Sequence, residues 1–116
     1  MKELIIIIKP EKLETLKTII DDHKCNGMTI STVMGCGAQK GYVEETSHEL
    51  RGMTTTINLL PKVQVSVVTT DEKASELITD ICEKVSSGKV GDGKIFVRKI
   101  EDAIRIRTGE RGDKVL

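Results

Sequence analysis

Near the start of the chain, the pattern of apolar residues changes from that of a strand to that of a helix. Residues 2–8 end in a run of isoleucines, which is typical of a buried β-strand. Pro10 is tolerated in the first turn of a helix, and leucine and isoleucine then recur at helical spacing up to about His23. β-Branched residues return between Met28 and Met34. The pattern therefore predicts a strand, a helix and a second strand.

A similar pattern follows Pro61. Valines at 63, 65 and 67 alternate with polar residues, which predicts a strand with one buried face. Asp71 stands where an acid can cap a helix. An apolar stripe at helical spacing follows it: Ala74, Leu77, Ile78, Ile81, Cys82 and Val85. Residues 94–100 then predict a last strand.

The resulting order, β-α-β-β-α-β, predicts an α+β fold of the ferredoxin-like type. In that plan both helices cover one face of a four-stranded antiparallel sheet, so the other face needs a partner subunit. Residues 38–58, between strands 2 and 3, are polar and without sustained period. They predict a loop that is long for a compact domain, and such loops commonly have a functional role.

Composition limits the classes of partner. The 116 residues suit a single domain, 1–116, and 18 basic residues balance 18 acidic ones, so no net field attracts nucleic acid or an anionic membrane. Tyr42 and Phe96 are the only aromatic residues, and such a thin core favours oligomerisation. The sequence has neither a secretory pattern nor a membrane-length apolar run, which predicts a cytoplasmic protein without direct membrane insertion.

The histidines and cysteines do not form a recognisable reactive site. His23 and His48 have no metal-ligand spacing to cysteine or aspartate, which favours ordinary surface histidines. Cys25, Cys36 and Cys82 form no close pair, and buried or incidental thiols are the favoured interpretation. Neither acyl transfer nor metal chemistry is indicated.

Two glycine-rich segments could approach an anion. The first, with glycines 35, 37 and 41, matches neither standard nucleotide motif and is more typical of a turn. Residues 88–94 combine glycines with Lys89 and Lys94, and Arg105 and Arg107 alternate along a stretch predicted to be extended. A phosphate site and a basic rim paired with nearby acids both fit these residues.

Several segments resemble signature segments of the PII signal-transduction family, in the family's order. They are GMT at 27–29, QKG at 39–41, LPKV at 60–63, GKVGDGKIF at 88–96 and IRIRTGE at 104–110. The resemblance spans nearly the whole chain. It implies a homotrimer with inward-facing sheets, with ATP or ADP in each cleft between neighbours. It also implies a regulatory protein rather than an enzyme.

The resemblance assigns residues to this site. Nucleotide contacts would come from Ile7, Thr29, Gly35, Gly37, Ala38, Gln39, Val68, Gly91, Asp92, Gly93, Lys94, Arg105 and Arg107. The two arginines would reach in from the adjacent subunit. The effector 2-oxoglutarate would bind beside ATP and Mg²⁺ at Gln39, Lys40, Gly41 and Lys62. Gln39 matches the magnesium ligand, and Lys62 matches the lysine that pairs with 2-oxoglutarate.

The resemblance also implies that residues 38–58 are a partner-binding loop. Residues 110–116 are predicted to form a C-terminal tail. Arg51 matches the arginine that certain relatives insert into an ammonium channel, which implies a membrane transporter as target. Thr55 stands where relatives controlled by uridylylation have tyrosine, so that modification is not expected. Ala38 replaces an arginine that can touch the nucleotide phosphates, which leaves the preference between ATP and ADP open.

Other functions fit the residues less well. One is a sensor of adenylate state that does not respond to 2-oxoglutarate. A slow ATPase could use the same glycines and arginines, but it lacks a general base. RNA binding through the sheet needs aromatic residues on exposed strands, and Phe96 is the only candidate.

Overall fold

The computed structural model describes residues 1–36, 47–50, 53–56 and 59–116, with the backbone alone described for 47–50 and 53–56. The strands are β1 (Lys2–Ile8), β2 (Thr29–Cys36), β3 (Ser47–Leu50), β4 (Met53–Thr56), β5 (Leu59–Thr69) and β6 (Lys94–Lys99). The α-helices are α1 (Leu13–Asp22) and α2 (Asp71–Lys84), and short 3₁₀ helices span Pro10–Lys12 and Asp113–Val115.

The main sheet has four strands in the order β2-β5-β1-β6, and every neighbouring pair is antiparallel. With its two covering helices it is an α+β arrangement consistent with the predicted ferredoxin-like plan. The isoleucine run lies in the centre of the sheet, in β1, where a β-branched strand packs well on both sides.

The core lies between the two helices and one face of the sheet. Burial alternates along β1 and β5 with a period of two residues, as the sequence predicts. The core residues are Leu4, Ile6, Ile8, Leu16, Ile19, Ile20, Val63, Val65, Val67, Ala74, Leu77, Ile81 and Val85. The opposite face of the sheet has no helix over it among the described residues.

The start of α2 differs from its prediction by one residue. Thr70, not Asp71, is the N-cap, because Thr70 is still extended and its side chain accepts a hydrogen bond from the Lys73 backbone N–H at 3.3 Å. Asp71 is the first helical residue and pairs with the amino group of Met1 at 3.1 Å. This hydrogen bond to the amino terminus lowers the pKa of Asp71.

Two side chains have surroundings that the sequence did not indicate. Cys82 belongs to the predicted apolar stripe of α2 but is exposed. His23 was expected on the surface, yet it lies between the helices, where its Nε2 is 2.9 Å from Asp80 and its Nδ1 is 3.9 Å from Glu76. The hydrogen bond to His23, followed by that to Lys84, lowers the pKa of Asp80.

The predicted loop at 38–58 contains regular structure. β3 and β4 form a separate antiparallel pair, with Ser47 opposite Thr56 and Leu50 opposite Met53. The threonines at 54–56 favour a strand because they are β-branched. The surrounding residues do not continue an alternating pattern, so the sequence pattern predicts a loop there. The remainder of the loop lies outside the described residues.

β5 also begins earlier than the alternation of valines indicates. It starts at Leu59, and Pro61 pairs with Met34 of β2. Pro61 fits there because β1 pairs with β5 only as far as Val63. No strand on that side needs the backbone N–H that proline lacks. Within the ranges described, no helix is both long and apolar enough to cross a membrane.

Candidate functional site

The segment before β6 packs closely against β1 because Gly93 has no side chain. A Cβ at this position would collide with the Ile7 carbonyl oxygen and lie 2.9 Å from its carbon, and the φ of Gly93 is +109°. The next residue, Lys94, is directly opposite Ile7 in the β1–β6 register. The predicted phosphate segment is therefore fixed against the strand that carries Ile7.

Lys62 brings a third element to the same place. Its Nζ donates a hydrogen bond to the Gly91 carbonyl oxygen at 2.8 Å. Gly35 of β2 lies beside the Lys62 stem, since a Cβ on Gly35 would be 3.0 Å from the Lys62 Cγ. One chain thus brings together a predicted effector residue, Lys62, with Gly35 and Gly91, which were predicted to bind the nucleotide.

This part of the molecule favours negative charge. Partial burial, and then the nearby positive charge of Lys9, lower the pKa of Lys62, against the opposite influence of Glu11 and Asp92. Partly desolvated lysines gain more from an anionic ligand than solvated ones do. Among the described residues, no acidic side chain forms an ion pair with Lys94 or Lys89.

Asp92 turns back onto its own loop. Its carboxylate accepts hydrogen bonds from the backbone N–H groups of Ser87 and Gly88 at 2.8 and 3.0 Å, and from the hydroxyls of Ser86 and Ser87. These bonds, led by those of Ser87, lower the pKa of Asp92 to about 2. Asp92 therefore fixes the shape of residues 86–93, and direct contact with a nucleotide stays a prediction.

Thr29 and Val68, two further predicted nucleoside contacts, lie on the open face of the sheet but away from Ile7. Ile7 is opposite Gln64, whereas Thr29 is opposite Ser66 and Val68 is opposite Glu3. At about 3.4 Å per residue, Val68 lies roughly 14 Å along β5 from the position opposite Ile7. One chain therefore separates Thr29 and Val68 from the cluster around Gly93.

The two predicted arginines do not lie on an extended strand, so that expectation is wrong. The backbone N–H groups of Thr108 and Gly109 both bond to the Arg105 carbonyl, at 3.3 and 2.7 Å, which closes a turn. Gly109 has a φ of +73°, a conformation that glycine adopts without strain. The Arg105 guanidinium bonds to Glu110 at 3.1 Å, whereas Arg107 is exposed and has no side-chain partner in the described part of the chain.

The sequence left two interpretations of the basic residues open, a phosphate site and a rim paired with nearby acids, and the structure contains residues that fit each. Arg105 pairs with Glu110 and Arg111 pairs with Asp102 at 2.8 Å, as a paired rim would. Arg107 does not. In the described ranges no hydrogen bond or ion pair joins the turn at 105–109 to residues 91–94, so one chain does not assemble all the predicted phosphate contacts.

Several predictions fall outside the described residues. They concern Gly37, Ala38, Gln39, Lys40, Gly41 and Arg51. Thr55 lies in β4, of which the structure describes the backbone. Among described residues, no group of three or more His, Cys, Asp or Glu side chains could hold a metal ion, and the predicted magnesium ligand, Gln39, is not among them.

Comparison with known proteins identifies the class. Residues 1–110 match the family model of nitrogen regulatory protein P-II. The chain is 40% identical to nitrogen regulatory protein P-II 2 of Methanothermobacter thermautotrophicus, over all of this chain and 97% of that protein. It is 43% identical to nitrogen regulatory protein P-II of Haemophilus influenzae and 40% identical to nitrogen regulatory protein GlnK of Escherichia coli K12, each over the full length of both chains. The chain belongs to the P-II family of nitrogen regulatory proteins.

Proposed function

We propose that this protein is a cytoplasmic regulator that binds ATP or ADP and controls a nitrogen-related target protein without catalysing a reaction. The observation that carries the proposal is the convergence of Gly35, Lys62, Gly91 and Gly93 at one end of the main sheet. Glycines allow a ligand to approach the backbone, and lysines supply charge-assisted contacts to phosphate. Family membership supports the same conclusion.

The proposed site needs more than one chain. Arg107 is exposed and without an acidic partner in the described part of the chain, and Thr29 and Val68 lie away from the glycine cluster. A neighbouring copy that covers the open sheet face would bring a second set of these residues to the cluster. A homotrimer built in this way has closed cyclic symmetry.

The proposed effector is 2-oxoglutarate, bound with ATP and Mg²⁺. Lys62 supports it, because an ammonium group on a partly buried stem suits a carboxylate. Its bond to the Gly91 carbonyl also offers a route between the effector and the phosphate segment. Gln39 would supply a magnesium ligand, as the sequence predicts.

The proposed target binds through residues 38–58, with a membrane transporter as the leading class. Nucleotide and effector would bias this segment between conformations, only one of which docks on the target. A sensor of adenylate state alone remains the second candidate, since Ala38 cannot touch phosphate as an arginine does. Phosphate release measured beside ATP binding separates both candidates from a slow ATPase.

Arg107→Ala tests the shared site. We expect calorimetry to give weaker ATP and ADP binding by about 1.5–3 kcal/mol, the usual value of a hydrogen bond to a charged group. Arg111→Ala is the matched control, because Arg111 is nearby in sequence but pairs with Asp102. Unchanged affinity in the Arg107 variant, with circular dichroism unchanged as well, would remove Arg107 from the site.

A further inference from the structure

Among the described residues, the open face of the sheet carries charge only at its two ends. Its central positions include Ile5, Ile7, Gln64 and Phe96, and Phe96 is 50% exposed. At one end of the sheet the charged side chains are Lys94 of β6 and Lys62 of β5, which belong to the candidate nucleotide site. At the other end the charged side chains are Glu3 and Arg98.

Glu3 and Arg98 form a small polar cluster with Ser66. The two charged residues are directly opposite each other in the β1–β6 register, and the Arg98 Nε is 3.2 Å from one Glu3 carboxylate oxygen. The other Glu3 oxygen accepts a hydrogen bond from the Ser66 hydroxyl at 2.5 Å. Glu3 is thereby held on the sheet surface, with its side chain 20% exposed.

Arg98 is held less completely. Its side chain is 64% exposed, and its ion pair with Glu3 uses the Nε alone. A guanidinium group has five N–H donors in a planar fork that suits a second carboxylate. In the described part of the chain, the terminal nitrogens of Arg98 have no acceptor.

The proposed trimer determines what covers this face. A protein that packs against it must offer an acceptor to Arg98, because a guanidinium group buried without acceptors would be strongly unfavourable. A second copy of the chain carries one acid and one base in the same cluster, so the two surfaces are complementary in charge. The presence of a second copy on this face rests on the trimer of the proposed function.

We propose that Glu3 and Arg98 form a recognition element between copies of this chain. In the trimer, Arg98 of each copy bonds to Glu3 of a neighbouring copy as well as to its own Glu3, and the three pairs form a ring of alternating charge. Charges at such positions determine which partners associate more than they determine affinity. The element favours assembly with identical copies over P-II chains without this pair of charges.

Charge reversal tests the element. Glu3→Arg and Arg98→Glu each place like charges together, and we expect each to raise the concentration at which the trimer dissociates by at least about tenfold. Lys99→Glu is the matched control for Arg98→Glu, because it makes the same change of charge at the next residue of β6, on the other face of the sheet. Light scattering during dilution measures the effect, and circular dichroism confirms folding.

Mixing the two reversed variants separates contacts between copies from contacts within one copy. Each variant alone has like charges on every chain, but Glu3→Arg beside Arg98→Glu restores opposite charges across an interface. We expect native mass spectrometry of the refolded mixture to give mixed trimers above the proportion from random mixing. If a variant fails to refold, Glu3→Gln and Arg98→Met remove charge without repulsion and should weaken the trimer more than Lys99→Met.

Two results would overturn the proposal. Random mixing, together with dissociation equal to that of the Lys99→Glu control, would mean that the pair acts only within its own chain. An unmodified protein that stays monomeric with nucleotide bound would remove the interface itself. In the first case the trimer and the nucleotide site of the proposed function stand, and in the second case the trimer fails with this inference.

Discussion

At the residue scale, Gly93 positions the candidate phosphate segment because its missing side chain lets the backbone contact β1. Its left-handed φ of +109° and its contact with Ile7 both exclude a Cβ. Gly88 shares the positive φ, at +78°, but a Cβ added there would have no atom within 4 Å. Comparing the two glycines therefore distinguishes the effect of a left-handed backbone from the effect of a steric clash.

We expect Gly93→Ala to lose more stability than Gly88→Ala. Gly88→Ala should lower the free energy of unfolding by about 1–2 kcal/mol, the cost of a left-handed conformation for alanine. Gly93→Ala should lower it further, because it must also displace β6 from β1. Urea unfolding at equal protein concentration measures both variants. Equal losses would mean that the contact of Gly93 with Ile7 does not constrain the segment.

Asp92 predicts a pH dependence at the same scale. Its folded-state pKa of about 2 is below the ordinary value of 3.8, so its contribution to stability is complete above 3.8 and is lost as the pH falls through about 2. We expect the stability difference between the unmodified protein and Asp92→Asn to shrink over this interval. A difference that stays constant across it would contradict the hydrogen bonds assigned to Asp92.

The residue types of the site are visible in the sequence, but their contacts are not. Glycines and lysines between 88 and 94 indicate an anion site by their chemistry. The bond from Lys62 to Gly91 joins residues 29 positions apart, and it depends on how far β5 extends beyond β1. The Glu3–Arg98 pair likewise depends on strand register, which single-residue patterns do not fix.

At the element scale, Thr70 determines where α2 begins. Its side chain satisfies the Lys73 N–H, one of the donors that every helix start leaves unpaired. We expect Thr70→Ala to lower the free energy of unfolding by about 1 kcal/mol. Thr79→Ala, on an exposed position of the same helix, should change it by less than about 0.5 kcal/mol. Equal effects would exclude Thr70 as a cap.

Elements with a clear period could be predicted, and those determined by turns could not. The valines of β5 and the stripe of α2 predict their elements because one face of each is buried in the core. Residues 104–107 alternate like a strand, yet the hydrogen bonds to Arg105 and the conformation of Gly109 close a turn there. Alternation without a buried face is therefore a weak strand signal.

At the scale of the whole molecule, two features favour association with neighbouring copies. They are the open face of the sheet and the separation of the predicted nucleotide contacts within one chain. The thin aliphatic core covers one face of the sheet only. We expect light scattering to give the mass of three chains at micromolar concentration. A monomer with nucleotide present would exclude the shared site, although nucleotide binding within one chain could persist.

The sequence predicts this assembly only through resemblance to the P-II family. The aromatic-poor composition favours association, and so does the sheet face that no helix covers among the described residues, but neither feature fixes the number of copies. That number depends on interface geometry between chains, which periodicity within one chain does not encode.

The proposed function depends on nucleotide binding, which a calorimetric titration of ATP into the unmodified protein with Mg²⁺ measures. We expect about one ATP per chain, with tighter binding when 2-oxoglutarate is present because linkage between two ligands is reciprocal. Equal ATP affinities with and without 2-oxoglutarate would leave a sensor of adenylate state. If the folded protein binds no ATP at millimolar concentration, the proposed nucleotide site does not exist.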